Sequence, residues 1–110
     1  MMFDLTGMTA LVTGASGGIG SAIAKALAGQ GARVALSGTR EDALKAVAAE
    51  IAGDPVILPC NLGDAEAVEG LIPAAVEALG GQLDILVNNA GVTRDGLVMR
   101  MKDEDWDTVI

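Results

Sequence analysis

The sequence predicts an α/β fold, a doubly wound parallel sheet with helices on both faces. Four short apolar segments, at residues 9–12, 34–36, 55–59 and 84–87, lie at regular intervals along the 110 residues. They do not alternate apolar and polar residues, which is typical of strands buried on both faces of a parallel sheet. Helical patterns separate them, and strand–helix–strand units of this kind form right-handed crossovers. We therefore expect a single domain with about four strands and three to four helices.

Three amphipathic stretches are predicted to be the helices between these strands. Apolar residues recur at helical spacing at residues 19–27, 44–51 and 68–79. A glycine that ends a helix follows each stretch, at Gly29, Gly53 and Gly80. Pro73 lies inside the third stretch and removes a backbone donor, so we expect a kink in that helix.

A fourth helix is predicted to begin near residue 103. Asp103 has the position of an N-cap, and the two acidic residues after it lie near the positive end of the helix dipole. Trp106 and Val109 then begin an apolar stripe, and the sequence ends at Ile110 with no C-cap. We expect a helix that is cut short, which leaves the edge of the fourth strand uncovered. An uncovered apolar edge predicts self-association.

Composition excludes several classes of function. The 15 acidic and 7 basic residues give a net charge of −8, which argues against binding of nucleic acid, since phosphate contacts need a basic face. No apolar run is long enough to span a bilayer, and the N-terminus has no basic region typical of a secretory signal, so we expect a cytoplasmic protein. With one cysteine, Cys60, and no histidine, neither an internal disulfide nor a Cys/His zinc site is expected. Cys60 is interpreted as a core residue.

The first predicted strand runs directly into a glycine-rich turn, TGASGGIG, at residues 13–20. A turn of small residues ahead of a helix lets backbone N–H groups approach a phosphate, which a Cβ would hold away. The turn is not a Walker A loop, because no Gly-Lys-Ser/Thr follows, and its glycines are spaced G-x-x-x-G-x-G rather than G-x-G-x-x-G. Spacing alone leaves two interpretations, a phosphate site or close packing of strand against helix.

Two motifs together resemble those of the short-chain dehydrogenase/reductase family. TGASGGIG resembles the T-G-x-x-x-G-x-G cofactor turn of that family, and NNAG, at residues 88–91, resembles its second signature. The segment GVTRDGLVMRMKDEDW, at residues 91–106, is similar to 3-oxoacyl-[acyl-carrier-protein] reductases. The resemblance covers all 110 residues and implies the N-terminal, dinucleotide-binding part of a Rossmann-type domain. For the whole enzyme it implies NADPH-dependent reduction of 3-oxoacyl groups on acyl carrier protein, in fatty-acid synthesis.

The resemblance also implies three groups of cofactor contacts at the carboxyl ends of the strands, where open α/β sheets bind ligands. The first turn would line the pyrophosphate and adenosine ribose through Gly14, Ser16, Gly17, Gly18, Ile19 and Gly20. The turn after the third strand would contact adenine through Asn61 and Leu62, although Asn61 is equally typical of a turn ahead of a helix. The turn after the fourth strand would line the nicotinamide-side ribose through Asn89, Ala90 and Gly91.

Residues after the second strand bear on the choice between NADP and NAD. An acidic residue at this point bonds the ribose 2′-hydroxyl of NAD, whereas a basic residue suits the 2′-phosphate of NADP. The segment SGTR, at residues 37–40, has no acid, which favours NADP through Thr39 and Arg40. Two observations keep NAD open. Thr39 and Asp42 also resemble a capping-box pair, and Gly17 stands where NADP-preferring members of the family often have a basic residue.

The catalytic residues of the family do not occur in the sequence. The resemblance implies a Tyr that donates a proton, a Lys that activates it and a Ser that polarises the carbonyl, all downstream of the NNAG motif. The 110 residues contain no Tyr, and Lys25, Lys45 and Lys102 all precede the position that the family's catalytic Lys would take, so we expect no catalytic residue among them and no activity from them alone. The alternative function is a stand-alone, non-catalytic module, a half-domain that binds nucleotides or self-assembles.

Overall fold

A β-sheet with helices on both faces forms the protein in the computed structural model, which describes residues 5–15, 17–51, 53–61, 65–88, 96–102 and 105–109. Within these ranges strands β1 (Thr9–Thr13), β2 (Arg33–Gly38), β3 (Val56–Pro59) and β4 (Ile85–Asn88) alternate with helices α1 (Gly18–Gly29), α2 (Glu41–Ala48) and α3 (Ala65–Ala78), and strands β5 (Gly96–Lys102) and β6 (Asp105–Val109) follow. The spatial order is β3-β2-β1-β4-β5-β6. The first four strands are parallel, which confirms the predicted fold class.

The two central strands are buried because each of their faces is covered by helices. Val12 and Leu36 pack with Leu44 of α2 in a cluster on one face of the sheet. Leu11, the next residue along β1, points to the other face and packs with Leu71 of α3. Full burial of a leucine or valine side chain stabilises the fold by about 1.5–3 kcal/mol. Apolar residues without alternation are therefore required in these strands, as the sequence pattern indicated.

The strand order reverses direction at β1, which places a crevice at the end of that strand. In β1, Val12 pairs with Leu36 of β2 on one side and with Val87 of β4 on the other. The chain thus runs outward from β1 through α1 to β2 and through α2 to β3, and then crosses back through α3 to β4 on the other side of β1. A reversal of this kind leaves room for a ligand outside the carboxyl ends of the two central strands.

Strands β5 and β6 differ from the sequence prediction. The helix predicted to begin near residue 103 is not formed over Asp105–Val109, which is strand β6, and Asp103, Glu104 and Ile110 lie outside the described residues. The prediction of an uncovered edge on β4 is also wrong, because β5 pairs antiparallel with it, Val87 opposite Leu97. Acidic residues in a first helical turn contribute about 0.3–1 kcal/mol each. These contributions are small enough for tertiary pairing to override them: Asp105–Val109 pairs with β5, and Trp, Thr and Val favour strands.

Helix α3 continues through Pro73 from Ala65 to Ala78. Pro73 is exposed, whereas Leu71, Ala75 and Leu79 are buried against the sheet, so its ring lies away from the core. The single helix predicted for this stretch is confirmed, and the kink stays a prediction. None of the helices in the described part of the chain has the length and apolar character needed to cross a membrane.

Candidate functional site

The carboxyl ends of the four parallel strands meet at one edge of the sheet. Register places Thr13 of β1 beside Ser37 of β2, and Gly38 of β2 beside Pro59 of β3. The turns that follow β1, β2 and β3 therefore lie next to one another. Of the predicted cofactor contacts, the structure brings these to this edge: Gly14, Gly17, Gly18, Ile19, Thr39, Arg40 and Asn61. The remaining contacts, except Gly20, lie outside the described residues: Ser16, Leu62, Asn89, Ala90 and Gly91.

The glycine-rich turn is held to both of its neighbouring elements by backbone hydrogen bonds. Gly14 has a φ of 62°, in the left-handed region that favours glycine. The N–H of Ala15 donates to the carbonyl of Ser37 at 3.0 Å, which ties the turn to β2. The N–H of Gly17 donates to the carbonyl of Gly14 at 3.1 Å and closes the turn. The chain then enters α1 directly at Gly18.

The start of α1 has the properties of an anion site. Gly17 is the N-cap, and no side chain forms a capping hydrogen bond there in the part of the chain that the structure describes. The first-turn N–H groups of a helix have no partner within the helix and carry the positive end of its dipole. No acidic side chain occupies this first turn, so an anion meets no repulsion from within it. Ile19, in this first turn, is 69% exposed to solvent.

The space around Gly17 and Gly18 distinguishes between the two interpretations of the turn, a phosphate site and close packing of strand against helix. A Cβ built on Gly18 meets no atom within 4 Å, and one on Gly17 makes only ordinary contact, 3.5 Å from the carbonyl oxygen of Gly14. Neither glycine is required by packing inside the protein, whereas both leave the approach to the helix end open. Gly20 is buried together with Ala24 on the sheet-facing side of α1. The turn thus combines open glycines at the edge with a packing glycine beneath them.

The end of β2 presents one basic side chain at the edge. Gly38 is buried, and Thr39 and Arg40 are exposed. Arg40 is the N-cap residue of α2, and its guanidinium lies 3.9 Å from the carboxylate of Asp42. The described structure shows no side-chain capping bond at this helix, so the capping-box interpretation of Thr39 and Asp42 is wrong. Arg40 remains available as a solvent-exposed cation beside the turn.

Two features of the edge were not identified as site features by sequence reasoning. The hydroxyl of Thr13 donates to the backbone carbonyl of Val87 at 3.1 Å and joins the ends of β1 and β4. The hydroxyl of Ser37 is buried and has no hydrogen-bond partner among the described residues. The signal that identifies both is a hydroxyl residue as the last side chain before a strand ends, where an aliphatic residue is usual.

The turn after β3 completes the edge. The N–H of Cys60 donates to the carbonyl of Gly38 at 2.9 Å, and its side chain is half-buried against the cluster that contains Leu71. Cys60 therefore packs at the margin of the core, one residue beyond β3, and not within the strand. Asn61 is exposed directly after it. No group of three or more potential metal-ligating side chains occurs among the residues that the structure describes.

Comparisons with known proteins agree with this geometry. The family profile described as "short chain dehydrogenase" matches residues 8–110. Nodulation protein G of Rhizobium sp. (strain N33) is 55% identical over 109 residues, which cover 99% of this chain and 44% of that protein. The 3-oxoacyl-[acyl-carrier-protein] reductase FabG of Rickettsia conorii (strain ATCC VR-613 / Malish 7) is 50% identical over 109 residues, 99% of this chain and 43% of that protein.

A solved structure of similar fold contains a nucleotide. The crystal structure of a metagenomic short-chain oxidoreductase in complex with NADP is 42% identical, with a TM-score of 0.74, and the match covers 82% of this chain and 42% of that one. The chain spans less than half the length of the two curated relatives, 44% and 43%.

Proposed function

The chain belongs to the short chain dehydrogenase family, and we propose that it forms the dinucleotide-binding half of an NADP-dependent reductase. The proposed reaction of the whole enzyme is reduction of 3-oxoacyl-[acyl-carrier-protein] to the 3-hydroxyacyl form in fatty-acid synthesis. Its partners are the nucleotide and acyl carrier protein. The similarity to a FabG reductase at 50% identity supports this reaction class.

One observation carries the proposal for the cofactor. The N-terminal end of α1 has no acidic residue in its first turn and opens onto the crevice beside β1. The two glycines ahead of it, Gly17 and Gly18, leave space for a ligand. Helix ends with this open geometry bind phosphate groups. Arg40 lies at the same edge, where a guanidinium suits a 2′-phosphate.

The predicted cofactor contacts that the structure describes have distinct roles in holding the nucleotide. The N–H groups of Gly18 and Ile19, in the first turn of α1, bind the pyrophosphate, Arg40 binds the 2′-phosphate, and Asn61 bonds the edge of the base. Bound NADPH supplies a hydride to a carbonyl carbon. This chain binds and orients that donor, and its 110 residues contain no tyrosine to donate a proton in return. We therefore propose that the 110 residues alone do not turn over substrate.

Titration with NADPH tests the proposal. We expect weak binding, with a dissociation constant above the micromolar range, because the described edge supplies only part of a dinucleotide site. Isothermal calorimetry or NADPH fluorescence measures it. Absence of binding at millimolar NADPH would overturn the proposed function, and sub-micromolar affinity would overturn the view that the site is incomplete.

Gly18→Asp is the sharpest variant for this test. The space beyond Gly18 accepts the new side chain, and an acidic residue at the start of a helix stabilises it by about 0.3–1 kcal/mol. The same carboxylate repels a phosphate. We expect the variant to be at least as stable as the wild type and to lose binding of NADPH. A matched control is Gly29→Ala, at the other end of α1, where a Cβ also meets open space.

Activity provides an independent test of the residue roles. We expect no oxidation of NADPH when the purified chain is mixed with a 3-oxoacyl thioester. Turnover by these 110 residues would show that the proton donor is not the tyrosine implied by the family resemblance.

The alternative function, a non-catalytic module that binds nucleotide or self-assembles, is favoured by one observation. β5 and β6 extend the sheet beyond β4, and among the residues that the structure describes β6 pairs with β5 alone. A strand with one unpaired side is a template for another chain. We propose self-association through this edge. Sedimentation velocity over a range of concentrations tests it, and a monomer at every concentration would contradict it.

A further inference from the structure

Asp42 lies beside the one basic side chain that the structure places at the end of β2. We propose that Asp42 is a specificity-determining residue that lowers the preference of this edge for a 2′-phosphate. The inference rests on the proposed function, because it concerns how well NADP is distinguished from NAD at the same site.

The ion pair between Arg40 and Asp42 is long and exposed. Nη2 of Arg40 lies 3.9 Å from Oδ2 of Asp42, which is too long for a hydrogen bond and leaves an interaction between charges. The two side chains are 75% and 83% exposed, so neither is locked in place. Arg40 is therefore free to reach an incoming phosphate, but its charge is already partly compensated by Asp42.

The charges close to Arg40 in the sequence balance one another. Glu41, the next residue, pairs with Lys45 one helical turn later at 3.3 Å. The two acidic and two basic side chains of residues 40–45 therefore cancel in formal charge. A phosphate that pairs with Arg40 comes close to the carboxylate of Asp42, well within the screening length of about 8 Å at physiological ionic strength. The attraction of Arg40 for the phosphate is reduced by the repulsion from Asp42.

An effect of Asp42 on nucleotide choice differs from an effect on the stability of α2. Asp42 lies in the first turn of α2, where an acidic residue also stabilises the helix through its dipole. A substitution that acts only on structure changes the stability of the chain and changes the affinity for all nucleotides equally. The proposed role changes only the affinity for nucleotides that carry a 2′-phosphate. A comparison of two ligands that differ in that group distinguishes them.

The experiment compares adenosine 2′,5′-bisphosphate with 5′-AMP on the whole chain, by NMR chemical-shift titration, which measures weak binding. We expect Asp42→Asn to tighten binding of the bisphosphate about two- to fivefold, the range set by exposed ion pairs, and to leave that of 5′-AMP unchanged. The gain shrinks as salt is raised, because the charges involved are exposed.

A matched control comes from the other end of β2. Arg33 pairs with Asp54 at 3.2 Å at the start of the strand, and Asp54 is also largely exposed. Asp54→Asn makes the same change in net charge far from the carboxyl edge, so we expect no change in the ratio of the two affinities. An equal gain in Asp54→Asn would show an effect of net charge alone and would overturn the proposal.

A double-mutant cycle with Arg40→Gln tests whether the effect passes through Arg40. We expect Arg40→Gln to weaken bisphosphate binding, and Asp42→Asn to add nothing to the preference in that background. An unchanged ratio in Asp42→Asn, or a full gain without Arg40, would overturn the inference. If the wild-type chain binds neither ligand, the proposed function itself fails, which is a different result.

Discussion

The hydroxyl of Thr13 and the backbone carbonyl of Val87 form a buried hydrogen bond of 3.1 Å between residues 74 positions apart. The backbone pairing of β1 with β4 extends to Val12 opposite Val87. The side chain of Thr13 therefore continues the connection between the two strands by one residue, toward the crevice. This bond holds together the two strand ends that border the proposed nucleotide site.

Removal of this hydrogen bond should weaken the fold without changing the packing volume. Thr13→Val replaces the hydroxyl by a methyl group of similar size, so we expect a loss of about 1 kcal/mol in the free energy of unfolding. Urea denaturation measures it. Thr13→Ser keeps the hydroxyl but loses a buried methyl group, so it measures the packing contribution separately. A valine variant as stable as the wild type would contradict the assigned role.

Asp84 should contribute more to stability than its partial exposure suggests. Its carboxylate accepts the backbone N–H of Thr9 at 2.9 Å and two contacts from the amide of Gln82, at 2.7 and 2.6 Å. Hydrogen bonds to charged groups contribute about 1.5–3 kcal/mol, so we expect Asp84→Ala to cost about 2 kcal/mol in urea denaturation.

Gln82→Ala is the control for Asp84. The carbonyl of Gln82 still accepts the hydroxyl of Thr9, at 2.6 Å, when its side chain is removed. We expect a change within about 0.5 kcal/mol, as for most exposed side chains. Equal losses in the two variants would show that Asp84 acts mainly through Gln82.

The buried hydroxyl of Ser37 should make the chain less stable than a variant with alanine at this position. It has no hydrogen-bond partner in the part of the chain that the structure describes, and an unpaired buried polar group costs about 1–3 kcal/mol. We expect Ser37→Ala to raise the free energy of unfolding by about 1 kcal/mol after the loss of packing is counted. Thermal unfolding should shift upward, and a downward shift would show that the hydroxyl has a partner.

Two glycines near the end of α1 should respond in opposite ways to alanine. Gly31 has a φ of 103°, and a Cβ there would lie 2.6 Å from Oγ1 of Thr6 and 3.1 Å from its backbone nitrogen. We expect Gly31→Ala to cost about 2–4 kcal/mol from backbone strain and overlap. Gly29 has open space around its Cβ position, and its substitution should be neutral or stabilising by up to about 1 kcal/mol. Equal effects would contradict this account.

The parallel part of the fold could be predicted because burial on both faces imposes its own pattern. The apolar run at residues 34–36 identified β2, yet the strand begins at Arg33 and ends at Gly38. Those added residues are polar or small and are held by pairing with β1 and β3, which depends on distant segments. Ser37 shows why burial is hard to predict from local sequence. It is buried by strands β1 and β3, which are distant in the sequence.

The segment after residue 95 could not be predicted for a related reason. The acidic residues and apolar spacing after Lys102 favour a helix locally, but the backbone groups along β5 favour a strand, and the pairing of Val109 with Leu97 decides between them. The site shows the same division. The glycine turn is local and was identified, whereas the bond from Thr13 to Val87 joins segments brought together only by the completed sheet.

The central position of β1 also has a consequence for the order of folding. β1 can pair with β2 as soon as one crossover is complete, but its other side pairs with β4, and Thr9 and Asp84 are 75 residues apart. Contacts of such long sequence separation form late, because closing a large loop costs chain entropy before any contact is gained. During synthesis, one side of β1 therefore stays unpaired until the residues of β4, Ile85–Asn88, have been made. We expect a chaperone that binds extended apolar segments to recognise β1 in this interval.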